Sequence, residues 1–263
     1  MKIPKAMTIA GSDSGGGAGV QADLKTFAAL GVYGASTLTA ITAQNTVAVT
    51  AVHDIPTDVI TAQIDAVLTD IGADAVKTGM LSSSDIIECV CEALEVHGVQ
   101  RLVVDPVMIA KSGDALLRED AIGSLRTRLL PLAMVVTPNI PEAEALTETT
   151  IVSDADVRRA AEAIVGMGAR SVVVKGGHRE GPATDLFYDG KEFKEFTAPR
   201  FDTVNTHGTG CTFASAVAAG LARGMMVTDA VALAKEYVTE GIRDSFSIGQ
   251  GHGPLNHFYK FWK

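Results

Sequence analysis

Short apolar runs alternate with longer helical stretches along this chain, and the alternation restricts the folds that are open to it. Neither Leu102-Val-Val104 nor Val172-Val-Val174 contains a polar residue, so neither run alternates apolar with polar side chains. Such strands must be buried on both faces, because successive side chains point to opposite sides of a sheet. The pattern therefore predicts an α/β fold in three layers, with a central, mainly parallel β-sheet and helices on both faces.

The same pattern sets the approximate bounds of the elements. Strands are predicted at 6–10, 35–41, 74–78, 101–105, 133–137 and 170–175. Helices are predicted near 17–30, 57–70, 83–97, 115–129, 154–167, 210–223 and 227–243. Residues 184–199 are predicted to form a small antiparallel hairpin that turns at Asp189-Gly190. Because no repeat, low-complexity linker or change in composition marks a boundary, residues 1–263 are predicted to form one domain.

Composition and charge exclude several classes of partner. With 47% hydrophobic residues among 263, the chain can bury a large core. Its net charge of −9 argues against a nucleic-acid or anionic-membrane partner, since both need a basic surface. Residues 26–52 are uncharged, but their six threonines do not suit a membrane span. Three cysteines and a start without a signal-peptide pattern make the cytoplasm the expected compartment.

A glycine-rich turn within residues 205–220 runs directly into an alanine-rich helix. Gly208 and Gly210 allow the backbone to approach a ligand closely. The unpaired N–H groups and the dipole of a helix start favour negative charge. We therefore predict a phosphate site here, with an ordinary turn before a tightly packed helix as the alternative.

Polar or glycine-rich segments follow nearly every predicted strand. Ligands in open α/β sheets bind beyond the carboxyl ends of the strands, so these segments are predicted to converge on one cleft. Lys175 ends a strand whose backbone lies in the buried sheet, and it is predicted to bind phosphate. His178 and His207 stand beside glycines without a second ligand at metal-binding spacing, so they are predicted to be hydrogen-bonding loop residues.

Asn139 and Glu142 pair an amide with a carboxylate at the start of a further predicted helix. Magnesium prefers oxygen ligands and needs only one or two carboxylates near a phosphate, and Asp105 could supply the second. The alternative is structural, with Asn139 as the helix cap and Glu142 as its capping-box partner. The sequence leaves both open.

The first glycine-rich loop contains Gly17-x-Gly19-x-x-Ala22, which fits the loose form of the dinucleotide-binding fingerprint. A Rossmann site also needs an acidic residue at the end of the next strand, about 20 residues further on. Here that strand ends at Thr42-Ala-Gln44-Asn45. The chain also has no P-loop motif, so both nucleotide-binding motifs are disfavoured.

Eight motifs follow one another along nearly the whole chain. They are Gly11-Ser-Asp-Ser-Gly-Gly-Gly-Ala-Gly-Val-Gln-Ala-Asp23, Thr42-Ala-Gln-Asn-Thr46, Lys77-Thr-Gly-Met80, Asp105-Pro-Val107, Thr137-Pro-Asn-x-x-Glu142, Val174-Lys-Gly-Gly-His178, His207-Gly-Thr-Gly-Cys-Thr212 and Gly251-His-Gly-Pro-Leu-Asn-His257. In this order they resemble the motifs of the hydroxymethylpyrimidine/phosphomethylpyrimidine kinases of thiamine biosynthesis, members of the ribokinase-like superfamily.

The resemblance implies an ATP- and Mg²⁺-dependent kinase. Its substrate would be 4-amino-5-hydroxymethyl-2-methylpyrimidine, phosphorylated first to the monophosphate and then to the diphosphate. It also implies a homodimer. By position, the implied pyrimidine pocket comprises Gln44, Gly11, Ala18, Asp23, Met80 and Val107. The implied ATP and metal residues are Lys175, Asn139, Thr137, Asp105 and Glu142, and the implied catalytic turn is Gly208, Thr209, Gly210 and Cys211.

Cys211 stands where sugar kinases of the wider superfamily have an aspartate base. A thiol at a helix N-terminus is expected to have a lowered pKa, so Cys211 is a candidate base. Asp23 is the rival for contact with the substrate hydroxyl. Three other functions remain open: a pyridoxal kinase on the same scaffold, a dinucleotide-dependent oxidoreductase, and a pyrimidine-binding protein that does not consume ATP.

Overall fold

The computed structural model describes residues 2–108, 116–118, 120–177 and 181–262, and its centre is a nine-stranded sheet. The strands are β1 Lys5–Asp13, β2 Tyr33–Gln44, β3 Val49–Asp54, β4 Ala75–Thr78, β5 Leu102–Val104, β6 Val135–Val136, β7 Val172–Val174, β8 Ala183–Tyr188 and β9 Phe193–Ala198. They are arranged in the order β3-β2-β1-β4-β5-β6-β7-β8-β9. The six central strands are parallel, and β3, β8 and β9 join in antiparallel fashion.

Helices cover both faces of the sheet, as predicted. They are α1 Gly19–Ala29, α2 Thr57–Ala66, α3 Ser84–Val96, α4 Ala121–Ser124, α5 Ile140–Thr147, α6 Asp154–Gly166, α7 Thr209–Ala222 and α8 Val227–Arg243. Helices α2 to α6 pack on one face and α1, α7 and α8 on the other.

The alternation of side chains along each strand divides the core into these two layers. Leu102 and Val104 face the layer of α2 to α6, whereas Val103 between them packs with α7 and α8. All three are fully buried, which is the reason for the uninterrupted apolar run. Side-chain N-caps at Ser83 and Ser153 fix where α3 and α6 begin.

Two elements differ from the sequence-based prediction. β3 was missed, because its side chains are mostly exposed and lack the apolar pattern of a buried strand. The helix predicted at 115–129 begins only at Ala121. The N–H groups of Leu116 and Leu117 donate to the carbonyl oxygen of Met108, and this bonding replaces a helical turn. The hairpin of β8 and β9 is confirmed, with Gly190 in the left-handed region at φ 88°.

The chain was predicted not to span a membrane. In the ranges that the structure describes, no helix combines the length and the apolar character that crossing a bilayer requires.

Candidate active site

The carboxyl ends of β1, β4, β5, β6 and β7 open onto one cleft of about 620 Å³. Parallel strands end at the same edge of a sheet, so residues far apart in sequence meet there. All the residues that the sequence assigns to substrate, ATP, metal and catalysis line this cleft except Asp23 and Thr137.

The predicted phosphate turn, Gly208 to Cys211, lines the cleft. Gly208 is the N-cap of α7 and adopts φ 76°, a left-handed conformation that favours glycine. A Cβ at Gly208 would overlap the carbonyl oxygen of Gly17, so the turn packs directly on the first glycine-rich loop. No side chain of the described residues caps α7. The Thr209 N–H donates to the Thr206 carbonyl oxygen at 3.3 Å, so within the described residues the N–H groups of Gly210 and Cys211 are the ones available to an anion in the cleft.

Lys175 lies between two carboxylates beside this turn. Its Nζ is 3.2 Å from Asp105 Oδ1 and 3.9 Å from Glu142 Oε2. Burial opposes the charge of Lys175, but the two carboxylates outweigh this effect and raise its pKa. The Lys175 ammonium also donates to the carbonyl oxygen of Thr137. Thr137, assigned to ATP from the sequence, is fully buried behind the cleft wall and holds Lys175 instead.

Glu142 has the capping role that the sequence left open, and its carboxylate also faces the cleft. Asn139 Oδ1 accepts from the Glu142 N–H at 2.9 Å and Glu142 Oε2 accepts from the Asn139 N–H at 2.7 Å, so the capping box is present. The same carboxylate faces Lys175 and lines the cleft. Burial raises the pKa of Glu142 and the carboxylate of Asp105 adds to the rise, whereas the charge of Lys175 opposes it.

The first end of the cleft is lined by Gln44, Gly11, Ala18, Met80 and Val107. A Cβ at Gly11 would come within 3.0 Å of Met80 Sδ, so the glycine leaves room for the thioether. The Gln44 carboxamide lies 3.1 Å from Thr42 Oγ1, whose single proton is donated to the Ser12 carbonyl oxygen at 2.7 Å. This end offers an apolar slot with a hydrogen-bonding side chain at its edge.

Asp23 does not reach the cleft. It is fully buried, and its two oxygens accept from Lys77 Nζ at 3.1 and 2.9 Å. Thr8 and Ser215 each donate a further hydrogen bond of 2.6 Å to it. The carboxylate that the resemblance places against the substrate therefore holds Lys77, which lines the cleft.

Lys77 was missed as a site residue, although it stands in one of the quoted motifs. The reasoning that selected Lys175, a lysine on a buried strand, applies equally to Lys77 on β4. The carboxylate of Asp23 outweighs burial and raises the pKa of Lys77, so the lysine carries its charge at the cleft wall.

The expectation of a lowered pKa for Cys211 was wrong. Burial raises the pKa of this thiol to about 12, and the charge of Lys77 offsets only part of the rise. The carboxylates of Asp105 and Asp23 add to it. At neutral pH the protein therefore holds Cys211 as an uncharged thiol.

His207 is a hydrogen-bonding loop residue, as predicted. Its Nε2 is 2.8 Å from Asp13 Oδ2, and Asp13 also accepts from the N–H groups of Gly15, Gly17 and Ala18. This pair joins the first glycine-rich loop to the phosphate turn. His178 lies outside the described residues. Within those residues no group of three or more His, Cys, Asp or Glu side chains could hold a metal.

A second end of the cleft was not predicted. Its apolar wall comes from α7, α8 and the segment after β9, and comprises Phe213, Val238, Ile242, Pro199 and Phe201. Asp185 and Lys235 form an ion pair of 2.8 Å beside this wall, and Asp185 also accepts from the Gly176 N–H at 2.9 Å. No local motif marks this end, because its residues come from three separate elements.

Known proteins share both the sequence and the fold of this chain. A family model for phosphomethylpyrimidine kinase matches residues 13–256. A hydroxymethylpyrimidine/phosphomethylpyrimidine kinase of Rhizobium meliloti is 55% identical over 262 residues, which are 98% of each chain.

Two solved structures are similar throughout. The pyridoxal kinase of Staphylococcus aureus in complex with AMP-PCP and pyridoxal has a TM-score of 0.90 and 39% identity, covering 99% of this chain and 96% of that one. The phosphomethylpyrimidine kinase of Clostridium difficile has a TM-score of 0.82 and 48% identity, covering 92% of this chain and 100% of that one. These matches confirm the predicted ribokinase-like fold. The chain belongs to the family of hydroxymethylpyrimidine and phosphomethylpyrimidine kinases, and is a kinase of thiamine biosynthesis.

Proposed function

We propose that the protein transfers the γ-phosphoryl group of ATP to the hydroxymethyl group of 4-amino-5-hydroxymethyl-2-methylpyrimidine, and then phosphorylates the monophosphate to the diphosphate. One observation carries the proposal. A single cleft is lined by Gln44 at the end of β2, by the glycine turn at the start of α7, and by the apolar side chains of Val238 and Ile242 on α8. Two substrates that bind at opposite ends would meet at this turn.

The pyrimidine would bind at the first end. A carboxamide offers one acceptor and two donors, which match the exocyclic amine and ring nitrogen of an aminopyrimidine. Met80 and Val107 supply apolar surfaces for the ring and its methyl group. The nucleotide base would bind against Val238 and Ile242, with Lys235 close to its phosphate chain.

The chain's own residues provide positioning and charge. Phosphoryl transfer through a loose transition state needs in-line placement and stabilisation of equatorial charge more than a strong base. The N–H groups at the start of α7 and the ammonium of Lys175 supply that charge. Cys211 would act as a wall of the pocket, because its raised pKa keeps it protonated.

Mg²⁺ fits the donors that are present. Asp105 Oδ2 is buried without a hydrogen-bond partner in the described residues, and such an oxygen suits a hard cation. Asp105 and Glu142 would hold the ion, which when bound neutralises phosphate charge.

We predict that Glu142→Gln weakens magnesium-dependent turnover far more than pyrimidine binding, since the substitution removes a charge but keeps the size of the side chain. Both proteins are titrated with Mg²⁺ in the kinase assay and with the pyrimidine by calorimetry. An unchanged magnesium dependence would leave Glu142 with its capping role alone.

The central test is ADP release from ATP with a panel of acceptors: hydroxymethylpyrimidine, its monophosphate, pyridoxal and ribose. We expect the two pyrimidines to support the highest kcat/KM. A protein that binds the pyrimidine but releases no ADP would contradict the proposal.

Pyridoxal kinase is the second candidate, because the overall fold matches a pyridoxal kinase with a TM-score of 0.90. The higher identity to the phosphomethylpyrimidine kinase, 48% against 39%, favours the pyrimidine. A higher kcat/KM with pyridoxal than with hydroxymethylpyrimidine in the same panel would make pyridoxal the preferred substrate.

The family resemblance also supports a homodimer. β3 is the last strand of the sheet, and apolar surface is exposed on β3, on its neighbour β2 and on the turn between them, at Tyr33, Ile41, Val47 and Val52. A second copy would cover this surface. Light scattering should report about twice the chain mass of 27.4 kDa, and the chain mass alone would contradict the dimer.

A further inference from the structure

Residues 249–257, here called the C-terminal strap, contact the loop that follows Gln44. The N–H groups of Gln250 and Gly251 both donate to Thr46 Oγ1 at 3.2 Å. The N–H of His252 donates to the Thr46 carbonyl oxygen at 2.9 Å. Three consecutive N–H groups of the strap therefore bind one residue, which lies two positions after Gln44.

The same strap binds the segment that leads into the phosphate turn. The His207 N–H donates to the Gly253 carbonyl oxygen at 3.0 Å, and His252 Nδ1 lies 3.0 Å from the Val204 carbonyl oxygen. His207 directly precedes Gly208, the N-cap of α7. The strap thus contacts one loop from each of the two parts of the site.

Alternating glycines make these contacts possible. A Cβ at Gly249 or Gly251 would overlap Thr46, and at Gly251 the overlapped atom is the backbone carbonyl oxygen. A Cβ at Gly253 would overlap Asn205 Oδ1. Only glycine can therefore occupy these three positions, because at each of them the strap packs directly against a loop of the site.

The end of the strap is anchored in the helical layer. Leu255 is buried, the Asn256 N–H donates to the Gly241 carbonyl oxygen at 2.8 Å, and His257 Nε2 is 3.0 Å from Thr212 Oγ1. Gly241 belongs to α8 and Thr212 to α7. A segment fixed on two helices can hold two loops at a constant separation.

We propose that the C-terminal strap is a positioning element of the kinase, which sets the distance between the loop that carries Gln44 and the turn that binds the transferred phosphoryl group. The proposal rests on the proposed function. In-line phosphoryl transfer depends on the placement of the reacting atoms, and a displacement of about 1 Å is enough to slow it. Loosening the strap at Thr46 should therefore impair pyrimidine binding, and displacing the whole strap should also slow the chemical step.

The test compares Thr46→Val, which removes the Oγ1 acceptor, with Thr46→Ser, which keeps it. We expect Thr46→Val to raise KM for the pyrimidine by roughly five- to tenfold, with KM for ATP changed less than about twofold, because only hydrogen bonds at the pyrimidine loop are lost. Thr46→Ser should stay within about twofold of the wild type in both constants.

Gly251→Ala displaces the strap from a carbonyl oxygen that cannot move aside, and should lower kcat by roughly a hundredfold. Its control is Gly123→Ala, at a helix position where a Cβ meets nothing within 4 Å. Amide hydrogen exchange provides a readout without substrate. Residues 44–48 and 204–208 should both lose protection in Gly251→Ala while the central strands keep theirs.

The outcomes separate the two proposals. A wild-type protein without pyrimidine-dependent ADP release would overturn the proposed function, whereas the exchange experiment would still report on the strap. If Thr46→Val and Gly251→Ala lower only the melting temperature, with KM, kcat and loop exchange unchanged at assay temperature, the strap is structural and the positioning proposal fails.

Discussion

Gln44 is the residue whose chemistry best separates a pyrimidine from pyridoxal. We predict that Gln44→Leu lowers kcat/KM for hydroxymethylpyrimidine, because the polar edge of the ring stays unpaired. The loss of transition-state binding free energy should be about 1–3 kcal/mol for each lost hydrogen-bond partner. Pyridoxal should be affected less. The measurement is the ratio of kcat/KM for the two substrates in both proteins, and a ratio that does not fall removes Gln44 from substrate recognition.

Cys211 allows a test of what burial does to a thiol at a helix start. With its pKa raised to about 12, Cys211 is protonated at neutral pH and cannot serve as a base. We predict that Cys211→Ala keeps kcat within about tenfold of the wild type, since a general base is worth roughly 10²–10⁴. A larger loss would show that the thiol takes part in proton transfer.

Alkylation gives a second readout of the same pKa. The rate at which iodoacetamide modifies Cys211 should rise steadily with pH from 7 to 10, because the thiolate fraction rises about tenfold per unit below the pKa. Cys211→Ala identifies the contribution of the other two cysteines. A plateau below pH 9 would contradict the raised pKa.

Single residues show how far sequence reasoning reached into the site. Lys175, Asn139 and Glu142 were recognised because each follows a strand or begins a helix, which are features that local patterns reveal. Asp23 and Thr137 carry equally clear motifs, yet both lie behind the cleft wall. Whether a side chain faces a cleft or its supporting layer depends on packing, and no spacing in the sequence records it.

The start of α7 is the element on which the proposed phosphoryl transfer depends. Gly208 requires glycine by its φ of 76°, whereas a Cβ at Gly210 would meet Lys175 Nζ at 3.6 Å and Asp105 Oδ2 at 3.8 Å. We predict that Gly210→Ala folds normally but loses most activity, because the methyl group occupies the space of the transferred phosphoryl group. Melting temperature and kcat are measured together.

Gly166→Ala is the matched control, because a Cβ there, in α6, meets nothing within 4 Å. Normal turnover in a folded Gly210→Ala protein would make the turn a packing feature. If Gly210→Ala does not fold, Lys175 and Asp105 leave no room for a methyl group at this position. In that case the larger Gly210→Ser would also fail to fold.

Sequence-based prediction succeeded for the elements with a strong hydrophobic pattern and failed for those without one. The buried strands β5 and β7 and the amphipathic helix α3 followed the sequence pattern closely. β3 joins the sheet through backbone pairing with β2 and buries little of its side-chain surface, so its apolar pattern is weak. The start of α4 depends on hydrogen bonds to Met108 and Ser82, which are distant in sequence.

For the molecule as a whole, His257 couples folding to pH. Burial lowers the pKa of this residue from 6.5 to about 4, and the charge of Lys25 acts in the same direction. Its neutral form is therefore favoured in the native state. Its contribution to stability is complete above pH 6.5 and is lost as the pH falls towards 4, because only the unfolded chain takes up the proton in that range.

We predict that the free energy of unfolding falls by about 3 kcal/mol more in the wild type than in His257→Gln between pH 7 and pH 4. Urea unfolding at a series of pH values provides the measurement. The variant is compared with itself at pH 7, so that the lost contact with Thr212 cancels. Parallel curves for the two proteins would contradict the lowered pKa.

The sequence by itself determined the three-layer α/β fold, the glycine turn that begins a helix at Gly208 and the convergence of strand ends on one cleft, because hydrophobic period and helix-start chemistry are local properties. Only the tertiary structure decided which polar and charged side chains meet. His207 pairs with Asp13 across 194 residues, and Ser215 with Asp23 across 192. The raised pKa of Cys211 follows from burial among such distant neighbours. Burial and electrostatics depend on what surrounds a group in space, and separation along the chain does not encode this.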